Sequence, residues 1–279
     1  MSLWKIVILA LIQGACELLP VSSSAHVIVA EKLMGLDPAA PEMTFLLVML
    51  HTGTMFAVIV HFWSSWRERY FSSVQNFVSV AKRIALATGL TGVIGLGLMF
   101  LIEHVILRGT AHAEVEQLFG NSLLISSGLA AVGLMIIFSG KVPPGTGALG
   151  NREALWIGLI QGFCLPVRGF SRSGSTISMG LFLGAGRQQV EEFSFALAVV
   201  LTPVLIAKEG YRLLKTQHEV GASGHHLLDL LGPGLAGMVV AFVAGLGALK
   251  WLSRWLNDGH WGFFGYYCLL AATGVLLFV

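Results

Sequence analysis

From Gln13 to His26 the chain reads Gln-Gly-Ala-Cys-Glu-Leu-Leu-Pro-Val-Ser-Ser-Ser-Ala-His. It sets the Glu17 carboxylate, the Ser22, Ser23 and Ser24 hydroxyls and the His26 imidazole close together. A second polar stretch, Gly169-Phe-Ser171-Arg172-Ser173-Gly-Ser-Thr176, carries hydroxyls and a guanidinium, with Arg168 just ahead of it. Pro20 lies just before the serines, where a new helix would begin, so free amide N–H groups and a positive dipole end would face the hydroxyls. The second stretch reads the same way and adds Arg172 and Arg168. Paired helix N-termini with hydroxyls and a guanidinium make an anion site suited to phosphate oxygens, with Ser22, Ser171, Ser173 and Thr176 as binding hydroxyls. Glu17 falls at the opposite kind of helix end, where a carboxylate and free carbonyls suit a cation such as Mg2+ or Ca2+. Gln13 is one helical turn back on the same face. An anion cradle, a cation ligand and a candidate nucleophile together point to phosphoryl transfer. Ser23 and His26 are three residues apart, so both fit a nucleophile–base pair, and direct attack by His26 is the alternative.

The elements that must hold these residues are apolar. The chain is 55% hydrophobic and 11% charged, against roughly 25% charged in soluble domains. Charge-free runs at Met43–Trp63, Ile84–Ile102, Leu118–Gly140, Leu230–Leu249 and Trp261–Val279 each approach the ~20 residues of a membrane crossing. Phe193–Ala207 continues past Lys208 and Glu209 to Leu214 as a sixth span. The polar stretches, by contrast, sit between half-length runs: Ile6–Cys16 and Leu18–Ala30 around the first, Ala154–Val167 and Ser173–Gly186 around the second. Broken helices at membrane depth survive only where protein or a water-filled cavity covers them, and ionisable groups there are functional candidates. Each polar stretch is therefore expected at the tip of a re-entrant hairpin.

A repeat supports this. Leu11-Ile-Gln13-Gly14-x-Cys16 recurs as Leu159-Ile-Gln161-Gly162-x-Cys164, and both copies run on into Leu-Pro-Val and a serine-rich loop. The expected fold is all-α: a polytopic membrane bundle with an inverted-topology repeat, six full spans and two re-entrant helical hairpins. The first repeat covers residues 1–140 with its hairpin at 3–34; the second covers 152–279 with its hairpin at 154–186. Hairpins entering from opposite faces would meet tip to tip near the midplane. Lys5, Lys32, Arg108, Arg212 and Lys215 fall on the side of the first hairpin's mouth. Arg67, Arg69, Lys82, Arg83, Lys141, Arg152, Arg187, Lys250 and Arg254 fall on the other, which is then cytoplasmic.

The remaining features are bland. A net charge of +2 gives no reason to expect a nucleic-acid partner. The three cysteines, Cys16, Cys164 and Cys268, have no metal-type spacing and read as buried small residues. Lys5 and Gly14-Ala15-Cys16 imitate a signal peptide, but cleavage there would remove Gln13. Trp63–Arg83 reads as an amphipathic interfacial helix, and Gln217–His226 as an exposed loop with three histidines. His51 and His61 read as hydrogen-bonding residues within the bundle.

Taken together, Gln13-x-x-x-Glu17, then Leu19-Pro-Val-Ser22-Ser23-x-x-His26, and later Gly169-Phe-Ser171-Arg172-Ser173-x-x-Thr176, resemble the undecaprenyl-diphosphate phosphatase family of bacteria. The likeness runs nearly end to end and includes Glu192-Phe-Ser-Phe-x-Leu-Ala. It implies an inner-membrane enzyme that removes the terminal phosphate of a C55 polyprenyl diphosphate and so recycles the lipid carrier of cell-wall synthesis. It also implies a divalent metal, a site open to the outer leaflet and a role in bacitracin tolerance. By that resemblance Glu17, Ser23, His26 and Arg172 are the catalytic residues, and Gln13 stands where the family has Glu or Gln. Arg168 is a departure: Arg168-Gly169 stands where the family often has Pro-Gly, which offers a second phosphate-binding arginine. The competing reading is a secondary transporter or lipid flippase on the same scaffold. The expected partners are the lipid substrate and the bilayer; a homodimer is compatible with the sequence.

Overall fold

The computed structural model describes residues 2–37, 40–106, 121–143, 145–220 and 225–278. The described residues form ten α-helices and no named strand. The order runs twice through the same plan, a short helix pair followed by three more helices. The first set is α1 (Leu3–Leu18), α2 (Ser23–Leu33), α3 (Pro41–Arg69), α4 (Val74–Leu101) and α5 (Ser122–Gly140). The second is α6 (Asn151–Cys164), α7 (Arg172–Phe182), α8 (Arg187–Val220), α9 (His225–Asn257) and α10 (Gly262–Phe278).

Local chemistry explains the breaks. α1 stops ahead of Pro20, and its C-cap Leu19 is already extended, at φ −76° and ψ 152°, as a residue before proline prefers. α6 ends two residues before Pro166. At 16 and 11 residues, α1 and α2 are about 24 and 17 Å long, and α6 and α7, at 14 and 11 residues, are similar. None matches the ~30 Å of a bilayer core.

Five helices are long and apolar enough to cross a membrane, at Met43–Arg69, Val74–Val105, Ser122–Gly140, Arg187–Lys208 and Leu231–Asn257. The remaining expected span, the Trp261–Val279 run, falls on α10, a shorter apolar helix of 17 residues. Large apolar side chains such as Leu96, Val93 and Val204 face outward from these helices, the distribution a lipid solvent favours.

The expectation of one interfacial helix over Trp63–Arg83 is overturned. α3 continues to Arg69, the chain turns through residues 70–73, and α4 starts at Val74 with the Ser73 hydroxyl accepting from the Asn76 N–H at 3.1 Å. Trp66, 6% exposed, stacks on Phe62 and Tyr70. The polar residues here belong to the ends of two long helices. Of the expected loop Gln217–His226, residues 217–220 end α8 and 225–226 open α9. Residues 221–224 and Arg108 lie outside the described residues.

Packing crosses between the two sets: α1 lies on α9, α6 on α4, α3 on α8 and α9, and α5 on α10. Gly14 and Gly162 stand at matching places in the two Gln-Gly motifs, and each permits one of these approaches. A Cβ at Gly14 would meet the Ala241 carbonyl oxygen at 2.6 Å, and one at Gly162 would meet Ile94 Cβ at 2.7 Å. Gly14→Ala should therefore destabilise the fold by about 1–3 kcal/mol, the usual scale of overpacking, because a backbone carbonyl cannot turn aside like a side-chain end. Thermal unfolding in detergent would show it; an unchanged midpoint would refute the close α1–α9 contact.

Candidate active site

The end of α1 and the start of α2 bring the first group of residues together. Gln13 and Glu17, one turn apart on α1, touch: Gln13 Nε2 donates to Glu17 Oε2 at 3.2 Å. The turn at Pro20 folds α2 back so that Ser23 Oγ donates to the same Glu17 Oε2 at 2.6 Å. The other carboxylate oxygen faces α7, with Arg172 Nη2 at 3.6 Å from Glu17 Oε1. The Glu17 and Arg172 side chains are only 20% and 22% exposed, so their attraction is less screened than on a surface. Arg172 Nη1 is buried and has no hydrogen-bond partner. It is a donor left open beside the carboxylate.

The two tips are tied directly. Ser173 Oγ donates to the Leu19 carbonyl at 3.3 Å. Ser171 caps α7 by accepting from the Gly174 N–H at 3.3 Å. Ser171 and Ser173 are both buried. Thr176, fully buried, is turned away from the carboxylate; it meets Ser194 Oγ at 2.6 Å and donates to the Arg172 carbonyl at 2.8 Å. Arg168 is within electrostatic reach of Glu31 on α2, whereas the arginine whose charge acts on Glu17 is Arg172. Glu31, 2% exposed, carries an Oε1 without a hydrogen-bond partner. The sequence reading did not single it out.

His26 is held from both sides. Its Nδ1 lies 2.9 Å from the Ser22 carbonyl oxygen. A carbonyl only accepts, so Nδ1 carries a proton. To aim that carbonyl, Ser22 takes φ +65° and ψ 91°, and among the described residues it is the one non-glycine with positive φ. Strain of this kind persists where the surroundings enforce it. His26 Nε2 meets the hydroxyl of Tyr267, on α10, at 2.6 Å. Ser23 has a single hydroxyl proton and gives it to Glu17, so the resting geometry pairs Ser23 with Glu17 and leaves His26 facing Tyr267.

Two further side chains border the site: His51, whose expected hydrogen bond within the bundle is present, and Tyr267, which the sequence did not signal. His51 Nδ1 lies 3.0 Å from Gln13 Nε2, so it borders the site, while His61 meets Ser253 elsewhere in the bundle. Gln13 Nε2 donates to both Glu17 and His51, which leaves Nδ1 of His51 as an acceptor. Tyr267, 241 positions from His26, gave no signal beyond membership of an aromatic helix.

The donor set also bears on a metal. Among the described residues no group of three or more His, Cys, Asp or Glu could hold an ion. Glu17 offers one carboxylate, so phosphate oxygens and water would have to complete the shell. That fits Mg2+, which is commonly bound by one or two carboxylates plus substrate phosphates.

A hydroxyl hydrogen-bonded to a carboxylate, next to an open guanidinium donor and a helix N-terminus, is an arrangement suited to phosphoryl transfer. The sequence model of the family described as bacitracin resistance protein BacA matches residues 6–274. The chain is 58% identical over 279 residues to undecaprenyl-diphosphatase 2 of Acinetobacter baylyi, covering 99% of this chain and 98% of the relative. It is 33% identical to an undecaprenyl-diphosphatase of Rhodopirellula baltica, covering 99% and 98%. It is 32% identical to one of Thermus thermophilus, covering 100% and 98%. With matches of this extent, the chain belongs to the bacitracin resistance protein BacA family.

Proposed function

We propose that the protein is an undecaprenyl-diphosphatase. It hydrolyses the terminal phosphate of a C55 polyprenyl diphosphate to the monophosphate carrier and inorganic phosphate, in the inner membrane of a bacterium. The names of the relatives support this reading, and one observation carries it for this chain: Ser23 Oγ donates to Glu17 at 2.6 Å beside the unpartnered Nη1 of Arg172. A transporter or flippase needs an anion cradle but has no use for a hydroxyl poised on a carboxylate.

In the proposed reaction, Arg172 and the N-terminus of α7 bind the terminal phosphoryl oxygens. Ser23 Oγ attacks that phosphorus while its proton passes to Glu17, and the bond to the bridging oxygen breaks with its electrons leaving on the lipid monophosphate. Water then attacks the phosphoserine with the His26 imidazole as base, while Ser23 Oγ leaves phosphorus and takes its proton back from Glu17; inorganic phosphate departs and the imidazolium gives its proton to solvent. A divalent cation held by Glu17 and the diphosphate would neutralise charge on the phosphate oxygens when bound. Gln13 fixes the carboxylate rotamer through its amide.

For the membrane arrangement we propose α1–α2 and α6–α7 as two re-entrant hairpins entering from opposite faces, with α3, α4, α5, α8, α9 and α10 crossing. The lengths of the short helix pairs and the Ser173–Leu19 contact between their tips support it. The Lys and Arg distribution puts the first hairpin's mouth on the outer face.

Phosphate release from a prenyl diphosphate by purified, detergent-solubilised protein tests the reading. Release is expected from the wild type. Arg172→Lys should lose on the order of a hundredfold in kcat while unfolding at the wild-type temperature, since an ammonium cannot reproduce the planar donor pair. Wild type that releases no phosphate would overturn the hydrolase; Arg172→Lys at wild-type rate would remove Arg172 from the phosphate.

A further inference from the structure

We propose that Tyr267 is a positioning residue for His26, which makes the last helix of the second half part of the catalytic apparatus. This rests on the hydrolase reading for its kinetic consequence, but its geometry stands apart from it.

Two consecutive residues dock α10 on the first tip. Cys268, fully buried, directs its thiol at the Pro20 carbonyl at 3.3 Å, ahead of the serines. Tyr267 reaches past it to His26, with the rings nearly parallel at 13° and their centroids 5.7 Å apart. The Ser22 carbonyl holds the proton of a neutral imidazole on Nδ1, which leaves a bare Nε2 for the Tyr267 hydroxyl to donate to. His26 thus has no free rotation: the carbonyl fixes one ring nitrogen and the phenol the other. An imidazole without the phenol keeps one anchor and can swing about it. Tyr267 is 45% exposed, so little of its own burial holds it there; its specific contacts are ring stacking and one hydrogen bond. Placement of this kind affects rate steeply, because an error of about 1 Å in a reacting group can cost on the order of a hundredfold.

Tyr267→Phe separates the two contacts, removing the hydroxyl and keeping the ring. The expected result is a kcat about tenfold lower, with KM within about twofold and an unchanged unfolding temperature. In a His26→Gln background the same substitution should have no further effect, since coupled residues do not add. Additive losses, or a kcat equal to wild type, would overturn the assignment. A second measurement does not need activity. In 15N-histidine-labelled protein in nanodiscs, with His26 identified by its loss in His26→Gln, Tyr267→Phe should move the His26 Nε2 resonance and leave the other histidines in place. An unmoved resonance would overturn the contact whether or not the protein hydrolyses a diphosphate, and absence of phosphate release by the wild type would strike the hydrolase reading alone.

Discussion

Ser23→Ala is expected to reduce phosphate release by roughly a thousandfold or more, the scale on which removal of a hydroxyl nucleophile acts, while substrate binding stays close to wild type. The split follows from the geometry. The hydroxyl donates to Glu17 Oε2 at 2.6 Å, so in the resting state it serves the carboxylate, and the open donor for phosphate is Nη1 of Arg172. Losing the Ser23 oxygen therefore removes the bond-forming atom and leaves the charge that attracts the diphosphate. Rapid-quench experiments on the wild type should trap an acid-stable phosphoserine at Ser23. An acid-labile, base-stable adduct on His26 would transfer the nucleophile to the imidazole, whose Nε2 would first have to release Tyr267. No adduct, together with an active Ser23→Ala, would mean direct attack by water.

Glu17→Gln should be nearly as damaging, on the order of a hundredfold or more. The amide keeps the shape and still accepts through one oxygen, but it cannot take the Ser23 proton, and it leaves Arg172 without its counter-charge at 3.6 Å. The same carboxylate is the proposed protein ligand of the divalent cation, so chelation should abolish wild-type activity and added Mg2+ or Ca2+ should restore it. The two roles separate on titration. A wild type fully active in chelator would end the metal reading and leave the base intact. An active Glu17→Gln would end both.

The sequence and the tertiary structure contributed at different levels. Apolar run length, Pro20 and Pro166, and the serine-rich stretches are local features, and they set where helices run and break: α1 stops at Leu18 and α7 is capped by Ser171. Helical period likewise placed Gln13 over Glu17, and their side chains touch. What period could not settle was the rotamer of Ser23. Its spacing from His26 suits a pair, yet the hydroxyl turned back across the Pro20 bend to Glu17, because a carboxylate in a poorly solvated place is the stronger acceptor. Trp63–Arg83 departs from its sequence expectation for a related reason. Charges after an apolar run resemble an interfacial helix until Arg69 is seen reaching Glu192 on α8 at 3.2 Å, a partner that carries α3 on past the apolar run. Tyr267, His51 and the Arg172–Glu17 approach come from segments far apart in the chain. They meet because helices far apart in the chain pack on one another, and no local pattern encodes which helices those will be.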